Sequence, residues 1–331
     1  GGVPGQAGEK GFMKSVNFEF LRPANEALAE VAGLAEAVLH VDPGSALTRL
    51  RGFAEEVTKA IYKEELLPRL PQATFYELLK DPVFTACTSK PLVYQINALR
   101  IQGNETAHGA KGSVRDAKLA LGIAHQLAMY MAIKYYGKKK ADIPDFQEIP
   151  DQSAALGELK QSVSAYKEKL EARQEEVKAL LDELDRERTK NVQHIDPPQP
   201  VEQKEKHQKS QAVADSLQWN EAKTRKQLID VMLTKAGWDV DDPEQVGQEV
   251  EVDFPNNPSG KGYADYVLWG DNGQPLAVVE AKKSGNTSLQ AGREQARFYA
   301  DAFERMGYQR PVIFYSNGYE TFIWDDHQYN S

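Results

Sequence analysis

A chain of 331 residues with a single cysteine, Cys87, cannot build a disulfide framework, and one buried-type thiol suits a reducing cytoplasm. The sequence also lacks any apolar run of 18 residues, which excludes a membrane-spanning helix. Its six histidines are scattered and none is spaced with cysteine as a structural zinc ligand set requires. No Gly-x-x-x-x-Gly-Lys-Ser/Thr stretch occurs, and Gly260-Lys261-Gly262 lacks both the upstream glycine and the hydroxyl residue, so no phosphate-loop ATP site is expected. Positive charge is scarce too. The chain carries 40 Lys or Arg against 49 Asp or Glu, and from Ala212 to Ser331 the balance is 11 against 19. That excludes a protein whose C-terminal part coats nucleic acid through a basic face.

What is present divides into segments. Residues 1–12, rich in glycine, read as an added leader before a natural start at Met13. Residues 13–145 form the first domain, in which Phe20-Leu21, Ala24, Leu28, Val31, Ala35 and Val38-Leu39 recur at helical spacing. Leu47, Leu50, Phe53, Val57 and Ile61 continue the pattern in a second helix, and further helices are expected over 74–79, 91–103 and 114–136. Residues 150–192 hold a heptad, with Leu156, Val163, Leu170, Val177 and Leu184 every seventh residue, predicting a long coiled-coil-like helix within or between chains. Residues 193–211, with Pro197, Pro198 and Pro200 among Gln, Lys and Glu, read as a mobile linker.

Residues 212–331 read as an α/β domain. A helix over 220–233 precedes a strand over 248–254, then strands over 262–269 and 275–282 joined by Gly270-Asp271-Asn272-Gly273. An amphipathic helix over 289–306 and strands over 311–316 and 321–325 complete an α/β/α arrangement. Because alternate strand residues share a face, Glu280 and Lys282 point the same way, and Asp265 on the paired strand reaches that face. Two carboxylates at that spacing, with the Ala281 carbonyl, suit Mg²⁺ (or Mn²⁺), an oxygen-seeking ion that keeps waters to meet a phosphate. Lys282 would orient the attacking water or offset developing charge. The alternative is a buried Glu280–Lys282 ion pair beside a surface Asp265.

The phrases Glu221-Ala222-Lys223-Thr224-Arg225, Ala264-Asp265-Tyr266-Val267-Leu268-Trp269, Ala277-Val278-Val279-Glu280-Ala281-Lys282 and Gln295-Ala296-Arg297-Phe298-Tyr299 carry a resemblance. This part of the chain resembles the PD-(D/E)xK nuclease superfamily, and more narrowly the nuclease domain of the restriction subunit of type I restriction-modification enzymes. Ala264 stands where the superfamily pattern has proline. The resemblance implies a catalytic set of Asp265, Glu280 and Lys282, a metal held by Asp265, Glu280 and Ala281 with Glu221 nearby, and support from Gln295 and Tyr299, which as i and i+4 share a helix face. It implies DNA as substrate, methyltransferase and specificity subunits as partners, and cleavage that follows ATP-driven translocation by a motor region not found in this chain, which therefore reads as a fragment of a longer subunit. The first domain, through Leu99-Arg100-Ile101-Gln102-Gly103-Asn104-Glu105-Thr106-Ala107-His108, is similar to a helical domain of unknown function fused to such nucleases and, more loosely, to the HEPN group of RNA-cutting proteins. Arg100 and His108 would be the cutting pair on that second resemblance. The other readings are a docking or regulatory module, with Asn104 and His108 bonding backbone at a helix junction, and a non-catalytic assembly role for the whole chain. The fold class expected is thus a helical N-terminal domain, a long heptad helix and a C-terminal nuclease fold around a mixed sheet.

Overall fold

The computed structural model describes residues 14–69, 72–107, 112–150, 195–219, 221–255, 257–281, 286–316 and 321–324, together with scattered helical positions between 172 and 186. The chain forms two compact units, residues 1–218 and 219–331.

The first unit is helical. Six helices open it: α1 (Glu26–Val38), α2 (Pro43–Glu64), α3 (Phe75–Lys80), α4 (Pro82–Cys87), α5 (Lys90–Ala107) and α6 (Val114–Tyr135). Their starts follow local chemistry. Asn25, Asp42, Asp81 and Ser113 each accept a hydrogen bond from the backbone of the first turn, and Thr74 with Glu77 forms a reciprocal capping box. α2 is the central helix, packed by α1, α5 and α6. Its Leu50, Phe53, Val57 and Ile61 are fully buried, as are Leu92 and Ile96 of α5. α5 approaches α2 so closely that a Cβ on Gly103 would overlap the Arg51 side chain and lie 2.8 Å from the Leu47 carbonyl oxygen.

The linker expected over 193–211 is corrected by a helix, α7 (Pro200–Ser216). Pro200 occupies the first helical turn, where its missing N–H is no loss. α7 lacks an apolar stripe because polar groups hold it. Ser210 Oγ accepts the Ser89 N–H at 2.8 Å and bonds the Tyr130 hydroxyl at 2.8 Å. Lys206 donates to the Glu65 carbonyl at 2.8 Å and its carboxylate at 3.1 Å, while Ala214 is fully buried. Most of the heptad stretch lies outside the described residues. Its described positions from 175 to 183 are helical, and Val177 is buried.

The second unit starts with α8 (Glu221–Lys235), then β1 (Val246–Asp253), β2 (Lys261–Trp269), β3 (Pro275–Ala281), α9 (Asn286–Arg305), β4 (Val312–Ser316) and β5 (Thr321–Trp324). The strands lie in the order β1-β2-β3-β4-β5. β3 and β4 are parallel, joined by α9 as crossover, and the other pairs are antiparallel, so the sheet is mixed as expected. The β2–β3 turn closes through Gly270 and Gly273, whose N–H donates to the Gly270 carbonyl at a φ of 70° that favours glycine. Ile229 and Leu233 of α8 cover Tyr266, Leu268, Ala277 and Val279 on one face. Tyr299, Ala302 and Phe303 of α9 cover Val267 and Val278 on the other. The sheet is thus enclosed between two helices.

Candidate active site

Asp265 and Glu280 meet because the hairpin register brings them together. β2 and β3 pair Tyr266 with Val279 and Val267 with Val278, so one step on Asp265 stands across from Glu280. Both lie two residues from the valines that pack under α9, so both face that helix. Asp265 is half-buried, and its Oδ2 accepts the Ala281 backbone N–H at 2.7 Å. Glu280 is only 1% exposed, on a central strand between β2 and β4. A carboxylate that deep costs stability unless something there uses its charge. The pair sits at the carboxyl end of β3, the edge where open α/β sheets place ligands.

α9 supplies the other wall. Gln295 Nε2 donates to the Tyr299 hydroxyl at 2.7 Å. Burial pushes the Tyr299 hydroxyl above its usual pKa, and the nearby Glu280 and Asp265 charges push the same way. Tyr299 is 4% exposed and stands edge-on to Phe254, with ring centroids 5.7 Å apart. It lies against bare backbone, for a Cβ on Gly262 would come within 2.8 Å of Tyr299 Cε1.

On the opposite face, Tyr266, next to Asp265 in the chain, donates its buried hydroxyl to Asp230 Oδ1 of α8 at 2.7 Å. Burial raises the Asp230 carboxyl above the usual carboxylate range, opposed by the Tyr266 hydrogen bond and the Lys226 charge. Sequence reading missed this bond. The visible signal was a tyrosine in an otherwise aliphatic strand, which needs a partner for its hydroxyl.

Of the expected site residues, Asp265, Glu280, Gln295 and Tyr299 come together with the backbone of Ala281. Glu221 opens α8, but its side chain is not described, and Lys282 lies outside the described residues. Among the described residues no group of three or more His, Cys, Asp or Glu side chains forms a metal cage. In the helical unit, Arg100 Nε donates to Asn97 Oδ1 at 2.8 Å and its guanidinium sits 5.0 Å from the centre of the Tyr76 ring, while His108 lies outside the described residues.

The second unit therefore belongs to the class of helix–sheet–helix domains that carry an acidic pair on adjoining central strands under a crossover helix. Its sequence is more specific. Residues 245–331 match the family described as the N terminus of the type I restriction enzyme R protein. The chain is 25% identical to the type I restriction enzyme EcoKI endonuclease subunit of Escherichia coli strain K12, an alignment covering 91% of this chain and 29% of that relative. The two matches agree with each other: both are similarities to type I restriction subunits. It spans less than a third of that subunit's length. No solved structure matches it.

Proposed function

We propose that this chain is the nuclease-bearing part of a type I restriction subunit, that its second unit has the PD-(D/E)xK nuclease fold, and that it hydrolyses DNA phosphodiester bonds with Mg²⁺. The observation that supports this best is the pairing of Asp265 with Glu280 beneath Tyr299 and Gln295. The donor set is all oxygen, which suits Mg²⁺ or Mn²⁺, and two carboxylates suffice for an ion that retains several waters. Asp265, Glu280 and the Ala281 carbonyl would hold it, with Glu221 as a weaker neighbour. Bound there, the ion would polarise a phosphoryl oxygen and acidify a water.

The remaining roles belong to the chain itself. The Ala281 N–H holds Asp265 through Oδ2. Burial of Glu280 keeps competing water away from its charge. Lys282, two residues after Glu280, provides the cation that orients the nucleophile and offsets charge developing on the phosphate. Tyr299, steadied by Gln295, borders the place of the scissile group. In this reading the methyltransferase and specificity subunits supply site recognition, and an ATP-driven motor region supplies translocation.

The test uses the assembled restriction enzyme. Asp265→Ala and Lys282→Ala should each abolish DNA cleavage, measured on plasmid substrate, while ATP hydrolysis and subunit association persist. Retained cleavage in either variant sinks the assignment.

A further inference from the structure

The helical unit holds an arrangement of cations that the nuclease reading does not use. α2 and α5 each present one arginine whose inner nitrogen is tied to an asparagine of α5. Arg51 Nε donates to Asn104 Oδ1 at 2.8 Å, and Arg100 Nε to Asn97 Oδ1 at 2.8 Å. Asn97 and Asn104 are seven residues apart, two turns along one face of the helix. Each guanidinium also rests on an aromatic ring of α3: Arg51 5.6 Å from the centre of Phe75, Arg100 5.0 Å from that of Tyr76. Lys80 approaches the same Tyr76 ring at 5.3 Å.

Among the described residues the two arginines are only partly matched by carboxylates. Among the described residues Arg100 makes no ion pair, and Arg51 meets only Glu55, at 3.4 Å, which Lys59 shares at 3.3 Å. The nearest acids of α3 and α4 face backbone instead, since Glu77 completes the Thr74 capping box and Asp81 caps α4. Burial lowers the Arg100 pKa from its usual value; Tyr76 opposes that shift, and the neighbouring Arg51 charge adds to it. Tyr76 is 44% exposed, so the corner faces solvent.

We propose that this α2–α3–α5 corner is a phosphate-binding surface for the backbone of duplex DNA, with Arg51 and Arg100 as paired contacts and Lys80 beside them. The tied inner nitrogens and stacked planes leave each fork already oriented, so little side-chain entropy is lost on binding. Phosphodiester oxygens match the fork geometry. The surface also answers a deficit elsewhere. Residues 1–211 carry 29 Lys or Arg against 30 Asp or Glu, the remainder once the 11 and 19 of residues 212–331 are taken from 40 and 49. The near-neutral helical unit is therefore better able to hold a polyanion than the acidic second unit. The choice of DNA over other phosphodiesters rests on the proposed nuclease reading; the anion site itself does not.

The experiment is a salt titration of full-chain binding to a short labelled duplex, in EDTA so that cleavage plays no part. Arg51→Gln/Arg100→Gln should weaken binding at least tenfold and flatten the slope of log K against log salt by about two, one for each lost phosphate contact. Lys80→Glu, at an exposed position and checked for folding by circular dichroism, should weaken it several-fold, which keeps the test valid if the double variant melts early. Wild-type affinity and slope in Lys80→Glu and in a folded double variant overturn the proposal. So does a surface that loses single-stranded RNA, but not duplex DNA, when these residues change. Because no cleavage is measured, failure here leaves the Asp265 and Lys282 result untouched, and the reverse holds.

Discussion

At the scale of single residues, the site depends on contacts that have little slack. Gly262 lies under the Tyr299 ring, and an added methyl would meet Tyr299 and the Phe254 Cβ, the latter at 3.1 Å. Gly262→Ala should cost about 1–3 kcal/mol through overpacking. It should also shift Tyr299 from Glu280 and Asp265, so cleavage by the assembled enzyme should fall at temperatures where the variant is still folded by circular dichroism. Tyr266→Phe tests the other face. It removes the donor to Asp230, at a cost near neutral pH of about 1–2 kcal/mol once partial exposure is allowed for. The sign with pH follows from the raised Asp230 pKa. A carboxyl that binds its proton more tightly when folded contributes most in acid, and that contribution declines as pH rises from the unfolded carboxylate range through the folded value. Losing the hydrogen bond raises the folded value further, so the variant's deficit in urea melts should be larger at pH 7 than at pH 4. A deficit independent of pH would remove Asp230 from the account. Asp265 and Glu280 were legible in the sequence because a short hairpin and period-two alternation set their register. The Tyr266–Asp230 and Arg51–Asn104 bonds were not, since each joins residues far apart in the chain whose meeting depends on how helices pack.

Among the elements, the strands and core helices follow from patterns that sequence reading handles well: apolar alternation, turn glycines, and Asn, Asp, Ser or Thr at helix starts. α7 escaped because its docking is polar and its start is proline-rich. Its attachment centres on Glu65, 9% exposed, which accepts from Lys134, Tyr135 at 2.9 Å and Lys206 at 3.1 Å. Burial alone would raise the Glu65 carboxyl, but the hydrogen bonds from Lys134, Tyr135 and Lys206 outweigh it and hold the pKa below the usual range. A depressed carboxyl of this kind stabilises the fold above its unfolded pKa and loses that effect as pH falls through the folded value. Glu65→Gln leaves Lys134 buried without its counter-charge and should cost about 3 kcal/mol. Lys206→Ala should act more locally. Hydrogen exchange over 200–216 should accelerate while α2 and α6 stay protected, and unchanged protection of α7 would show that Ser210 and Ala214 hold it unaided.

At the scale of the whole molecule, the proposed nuclease reading draws on both folding units. The second unit carries the acidic pair, yet it lies in the stretch from residue 212 that holds 11 Lys or Arg against 19 Asp or Glu. Carboxylates that gather a divalent cation repel phosphate before that cation arrives, so a domain built this way gains from phosphate contacts carried elsewhere. The helical unit, close to neutral and bearing the Arg51–Arg100 corner, is such a place. Residues 219–331 have their own core on both faces of the sheet, from Ile229, Leu268 and Val279 on one side to Val278, Tyr299 and Phe303 on the other, so expressed alone they should melt in a single cooperative transition. In EDTA this isolated unit should bind duplex DNA at least tenfold more weakly than the full chain, with a salt slope close to zero. If it binds as tightly and with as steep a slope as the full chain, charge is not what divides the two units, and the grip on DNA lies on the face that carries Asp265 and Glu280.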